Sequence, residues 1–88
     1  MIHDLKVLPR YFNDLLFHGK KFEIRKNDRD YHVGDKLVLH EIKDGKYTGN
    51  SITRWIIYIH HGTGEYGIEK GYCVLGLTDN PNDKYTPT

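Results

Sequence analysis

Ser51 to His60 is the stretch that most limits what this chain can become. Its ten residues hold no glycine or proline and read as the longest strand. Alternate side chains fall on opposite faces, so Thr53, Trp55, Ile57 and Ile59 share one side and Ile52, Arg54, Ile56, Tyr58 and His60 the other. Both sides are largely apolar. A strand in an open sheet with one wet face does not need that, whereas a strand covered on both faces does. A small barrel-like sheet is therefore the expectation.

Shorter elements surround this strand. Ile2 to Leu8 reads as a first strand, and Pro9 suits the first turn of a helix, where its missing N–H is no loss. Tyr11, Phe12, Leu15 and Leu16 recur at helical spacing, and Gly19 suits a left-handed stop. The spacing predicts a helix of two to three turns whose apolar stripe covers one end of the sheet. Phe22 to Lys26 is the next strand, Asn27-Asp28-Arg29-Asp30 a turn, and Val33-Gly34-Asp35 a second tight turn. Lys36 to Ile42 is a third strand. A hairpin turn follows at Lys43-Asp44-Gly45-Lys46, extended through Tyr47-Thr48-Gly49-Asn50. His61 to Gly71 is a loop with four glycines, Tyr72 to Leu77 the last strand, and Thr78 to Thr88 a polar, frayed tail. The result is a single α+β domain over residues 1–77, a small β-barrel of about five strands with one main N-terminal helix, followed by a disordered tail at 78–88.

Eighty-eight residues allow one small core. Charged residues are 28% of the chain, and no apolar run approaches the ~20 residues that span a bilayer. Met1-Ile2-His3-Asp4-Leu5 lacks the basic-then-apolar layout of a signal peptide, and a lone Cys73 makes no disulfide. A cytoplasmic, monomeric protein without membrane contact is expected. Net charge is +1, less than a strongly basic nucleic-acid binder carries. From His18 to Lys36, however, six Lys or Arg face four acids, which permits a phosphate-binding patch.

That stretch also concentrates the chemistry. Phe22 and Ile24 point one way, and Lys21, Glu23 and Arg25 the other. Read blandly, the charged side is an exposed, ion-paired surface. Read functionally, it is a cleft in which Lys and Arg meet phosphate or a polarised carbonyl and Glu23 accepts from a base amine. Arg29 adds a possible bidentate contact beyond the Asn27-Asp28 turn. His18, next to Gly19, is either a general base, a phosphate donor or a cation favoured by the helix C-terminus.

Other motifs carry less. Gly62-Thr63-Gly64-Glu65-Tyr66-Gly67 matches G-x-G-x-x-G, but that fingerprint must open a helix in a βαβ unit, and here a strand follows. It reads as a flexible loop, with freedom to move over a ligand. Six histidines raise the question of a metal. His60 and His61 face opposite ways on a strand, His32 and His40 lie at no ligand spacing, and no Cys pair helps, so no metal is expected and the histidines read as solvated or in loops. No cofactor is called for. Cys73 alternates with apolar neighbours and reads as core.

The charged stretch resembles the ASCH domains of the PUA-like superfamily, whose hallmark is G-x-K-x-x-E-x-R where the first helix meets the next strand. Lys20, Glu23 and Arg25 are in register with it, while the glycine position falls on His18 and the glycine stands at Gly19. Strand alternation favours Lys21 as the cleft residue, and motif spacing favours Lys20. His3-Asp4-Leu5-Lys6, Phe22-Glu23-Ile24-Arg25-Lys26-Asn27-Asp28-Arg29-Asp30-Tyr31, Val33-Gly34-Asp35 and Gly71-Tyr72-Cys73-Val74-Leu75-Gly76-Leu77 are similar to one small ASCH branch of bacteria and their phages. The resemblance implies a PUA-like barrel with a cleft between barrel and helix, and RNA or a modified nucleoside as the ligand. Lys20, Glu23 and Arg25 would line that cleft, with Lys21, Asn27 and Arg29 at its rim.

Three functions compete. One is a binding module for a short single-stranded or modified-base ligand, with cations on phosphates, Glu23 and Asn27 on a base edge and aromatic faces for stacking. Another is a small amidohydrolase, since some ASCH proteins resemble enzymes that deacylate the exocyclic amine of cytidine. Lys20 matches their lysine, Glu23 replaces their threonine nucleophile, and a water-based hydrolysis would use Glu23 as base and Lys20 on the oxyanion. The third is an accessory protein that acts through protein contacts.

Overall fold

Two irregularities in strand pairing interrupt a single sheet that curls around the core. The computed structural model describes residues 1–83. Its elements are β1 (Ile2–Val7), α1 (Pro9–Phe17), β2 (Phe22–Lys26), β3 (Lys36–Lys43), β4 (Lys46–His61) and β5 (Tyr72–Thr78). The strands form one sheet in the order β1-β3-β4-β5-β2, with β1 parallel to β3 and the other pairs antiparallel. The first two strands of the chain thus become the two edges, and the sheet curls into a half-barrel that brings them toward each other.

The hairpin between β3 and β4 is tighter than the sequence suggested. Asp44 and Gly45 both adopt positive φ, 53° and 76°, and Lys43 pairs with Lys46. Two left-handed central residues match the twist of the flanking strands, which is why an Asp-Gly pair closes the turn so abruptly. Tyr47 to Asn50, expected in the turn, are therefore strand residues and lengthen β4.

Simple alternation along β4 fails at Ile57. The pairing shifts between Ile56 and Tyr58, so Ile56 faces Leu77 and Ile59 faces Leu75. One extra residue on a strand turns every later side chain over. Ile59 accordingly packs against the same core as Ile52 and Ile56, not on the face of Thr53 and Trp55. Gly76 sits opposite the bulge, where an added Cβ would lie 3.3 Å from the Tyr58 Cβ. A second shift lies between His40 and Ile42 of β3, where Glu41 alone stands opposite Thr48, Gly49 and Asn50, so the extra residues are again on β4.

The core is built from the inward alternation of three strands: Leu5 and Val7 of β1, Leu37 and Leu39 of β3, and Cys73, Leu75 and Leu77 of β5. Ile56, Tyr31 and two helix residues, Phe12 and Leu15, complete it. A nine-residue helix is marginal by itself, so these two buried side chains hold it, at about 1.5–3 kcal/mol each. Cys73 is wholly buried, as its alternation suggested.

His3 corrects the view of the histidines as solvated or in loops. It lies in the inward row of β1 and is 3% exposed. Its Nε2 donates to Asp35 Oδ2 at 2.8 Å, and a carboxylate that only accepts fixes the proton on Nε2. His40 lies half-buried on β3, 2.9 Å from Asp4 Oδ1. Polar partners on neighbouring elements, invisible in a single strand's pattern, make both positions acceptable to a ring nitrogen.

The expected loop starts one residue later than His61, which still belongs to β4; from Gly62 to Gly71 it holds a short 3₁₀ turn, Glu65–Gly67, and no α-helix opens after its glycines. Past β5, Thr78 Oγ1 donates to Asp83 Oδ2 and the Asp83 amide to the Asn80 carbonyl. The expected frayed tail therefore begins as a turn, and residues 84–88 of it lie outside the described residues. Among the described residues, no helix is long and apolar enough to cross a membrane.

Candidate functional site

The charged side of β2 faces inward. Glu23 pairs with Leu75 and Arg25 with Cys73 in the antiparallel register, and paired residues share a sheet face. Leu75 and Cys73 are fully buried, so Glu23 and Arg25 lie on the core side. Glu23 is 4% exposed, while Phe22 and Ile24 face out, at 44% and 53%. The exposed, ion-paired surface is thereby corrected: the carboxylate is buried and the apolar residues are wet. β2 is an edge strand, and its inner face closes onto a polar cleft instead of onto more core.

Lys20 reaches this cleft through the end of the helix. Gly19 takes φ 72°, and the amides of His18 and Lys20 both return to the Asp14 carbonyl at 3.1 Å. This left-handed stop folds Lys20 back over the last turn. Its Nζ lies 3.2 Å from Glu23 Oε1, 4.7 Å from the Tyr11 ring centre and 5.3 Å from that of Phe22. Two aromatic faces and a carboxylate thus hold one ammonium.

Arg25 engages the other carboxylate oxygen. Its Nε donates to Glu23 Oε2 at 3.0 Å, and its Nη2 donates to the Lys6 carbonyl at 2.7 Å. Among the described residues, Nη1 makes no hydrogen bond and stands as a spare donor. Lys20 and Arg25 together outweigh Glu23 by one charge.

These groups line a cleft of about 700 Å³ between the β1–α1 junction and β2. Lys6, Tyr11, His18 and Lys26 join them on its wall. Four cations (Lys6, Lys20, Arg25, Lys26) stand against two acids (Asp14, Glu23), so the cleft favours an anion. Its aromatic and aliphatic members offer contact to a flat ring.

The other expected residues part company. Lys21 lies in a separate hollow with Arg54, Thr78 and Asp79. Of the two adjacent lysines, Lys20 lines the cleft as well as this hollow and Lys21 the hollow alone, because the strand and its alternation start only at Phe22. Asn27 sits in a shallow hollow with Asp28, Asp30 and Tyr31, its Nδ2 3.4 Å from His61 Nδ1. Arg29 touches that hollow and also a second one beside Lys6. Lys6 and Tyr11 were not anticipated. Tyr11 carried a usable signal, as a tyrosine in a stripe otherwise made of Phe and Leu.

Two neighbours are electrostatically distinct. Burial pushes the Tyr31 phenol up, against the opposing pull of Arg29 and Arg25. Burial also pushes the Cys73 thiol up, with Asp28 adding to it. Neither is poised to ionise near neutral pH. Among the described residues, no three His, Cys, Asp or Glu side chains gather as a metal set.

A family model described as a domain of unknown function, DUF3850, matches residues 2–77. The chain belongs to the DUF3850 family. The match runs from β1 to all but the last residue of β5 and takes in every residue of the cleft. A curated relative of this DUF3850 chain is the "Uncharacterized 12.9 kDa protein in GpA 3'region" of Escherichia phage P2. The two are 48% identical over 52 residues, 58% of this chain, and the match spans about half of the phage protein, 47% of its length.

Proposed function

We propose that this DUF3850 protein binds a short single-stranded RNA or a nucleotide with a modified base in the cleft of Lys20, Glu23 and Arg25. One observation carries the reading: a buried carboxylate held between two cations opens onto a cleft with net positive charge. The cations suit phosphate, and a fixed acceptor suits a base amine. The resemblance to ASCH domains falls on these same three residues, and a curled five-stranded sheet with one helix is compatible with a PUA-like fold. The small charge excess fits a ligand of one or a few nucleotides better than a long duplex.

Hydrolysis of an acylated cytidine ranks lower. Each oxygen of Glu23 already accepts from a cation, which suits a held acceptor more than a base facing water. An amide-resolved NMR titration with short RNAs, cytidine and N4-acetylcytidine separates the readings. Saturable shifts confined to residues 18–29 and the start of α1 are expected. Cytidine released from N4-acetylcytidine by wild type, and not by Glu23→Gln, would transfer the assignment to an enzyme. No shift with any ligand would overturn both and leave protein contacts as the function.

A further inference from the structure

Beside the cleft lies a second hollow of about 670 Å³, lined by Asp4, Lys6, Arg25, Arg29, His40 and Tyr47. Lys6 and Arg25 line both hollows, and the Arg25–Lys6 hydrogen bond marks their shared boundary. We infer that the second hollow is a subsite for the neighbouring nucleotide of a single-stranded RNA whose first base occupies the cleft, an inference that rests on the function proposed above.

Tyr47 supplies the platform. The residue is 62% exposed, with the Lys6 ammonium 5.8 Å from the centre of its ring and the His40 ring 5.8 Å away at a steep tilt. Several rings of this domain are exposed, and Tyr47 differs from the others in standing in a hollow beside Lys6, Arg25 and Arg29, where stacking of an unpaired base next to phosphate-binding cations is the sequence-tolerant use. The platform is also held still. Glu41 Oε1 accepts from Thr48 Oγ1 at 2.8 Å and from Asn50 Nδ2 at 3.1 Å, which braces the hairpin where Tyr47 stands. Asp4 fixes the imidazole of His40 beside it.

Charge completes the match. Three cations (Lys6, Arg25, Arg29) meet one acid, Asp4. The cations common to both hollows lie where a phosphate linking two bases would fall. Arg25 retains Nη1 for it, and Lys6 is exposed. A base, a phosphate and a second base thus map onto cleft, boundary and hollow.

The test is calorimetric titration of the protein with the four ribonucleoside 5′-monophosphates, their 3′,5′-bisphosphates and the matching 5′-phosphorylated homodinucleotides. For the preferred base, the dinucleotide is expected to bind about five- to a hundredfold tighter than the monophosphate. The bisphosphate adds charge without a second base and should recover only part of that gain. Tyr47→Ala should reduce the dinucleotide to the level of the bisphosphate and leave the monophosphate unchanged, while Tyr47→Phe keeps the gain. Equal affinity of bisphosphate and dinucleotide, with the monophosphate still bound, would overturn the subsite and spare the cleft. Equal losses for all three probes in Tyr47→Ala would do the same. No binding of any probe would overturn the subsite and, with it, unmodified RNA as the ligand of the cleft.

Discussion

Arg25 Nη2 stands 2.7 Å from the Lys6 carbonyl oxygen, and this bond joins the two edge strands of the sheet, β2 and β1. An edge carbonyl without a ladder partner is usually left to water or to another chain. Here a side chain takes it, and the same guanidinium holds Glu23. One guanidinium therefore both bridges the edges of the half-barrel and forms part of the cleft wall. Arg25→Ala should cost about 2 kcal/mol in urea unfolding, from lost charge-assisted bonds, and Arg25→Lys should recover part of it. Amide exchange at the ends of β1 and β2 should accelerate by more than the loss of global stability, which alone sets the acceleration across β3 and β4. Uniform acceleration would show that Arg25 does not join the edges.

Lys20 and Lys21 are adjacent and identical in type, yet only Lys20 lines the cleft. Lys20→Ala should weaken nucleotide binding about tenfold and lower the salt slope by about 0.7, the value for one phosphate contact on a single strand. Lys21→Ala should leave both unchanged at equal stability. Equal effects of the two changes would remove Lys20 from its assigned role.

Much of the architecture was legible because its causes are local. Pro9, the stripe through Phe12 and Leu15, and the Asp44-Gly45 pair act within a few residues, and β2 begins and ends where its alternation does. Alternation separates two faces but does not say which is buried. That depends on Leu75 and Cys73, about fifty residues further on, whose pairing turns Glu23 inward. Bulges are likewise invisible to a period of two, so Ile59 changed sides. The cleft was legible in its residue types and not in its depth.

Asp35 makes stability depend on acid. Burial pushes its carboxyl up, but bonds from His3, the His32 amide and the Met1 amino group outweigh this and hold it below the ordinary aspartate value. Folding therefore favours the ionised form. The contribution is complete above the unfolded value and is lost as pH falls through the folded one. Asp35→Asn should cost about 1–3 kcal/mol near neutral pH. The gap from wild type should narrow as the pH drops below about 4. A gap independent of pH would mean that the charge of Asp35 contributes nothing.

Gly62 is required by space and not by backbone angle. A Cβ there would lie 2.0 Å from the Glu69 carbonyl oxygen and 2.8 Å from that of Tyr72, both backbone atoms that cannot rotate away. The Gly62 amide also donates to the Tyr72 carbonyl at 2.8 Å, so the loop closes on itself at this point. Gly62→Ala should cost about 2 kcal/mol and raise amide exchange from Gly64 to Tyr72. The effect should reach Asn27, whose amide donates to Gly71, before it reaches Lys20. Unchanged stability would show that the loop relaxes freely.

Cys73 offers a probe of the whole domain. It is 0% exposed on the inward face of β5, and burial with the nearby Asp28 disfavours its thiolate. The thiolate is the reactive form, so two barriers act together. Its labelling by an aromatic disulfide reagent should be negligible in the folded protein and should follow the global unfolding free energy as urea is raised. Because Cys73 pairs with Arg25, Arg25→Ala should accelerate labelling by the same factor by which it lowers global stability. A larger acceleration would show that β2 leaves the sheet on its own, with the cleft opening while β1, β3 and β4 stay folded.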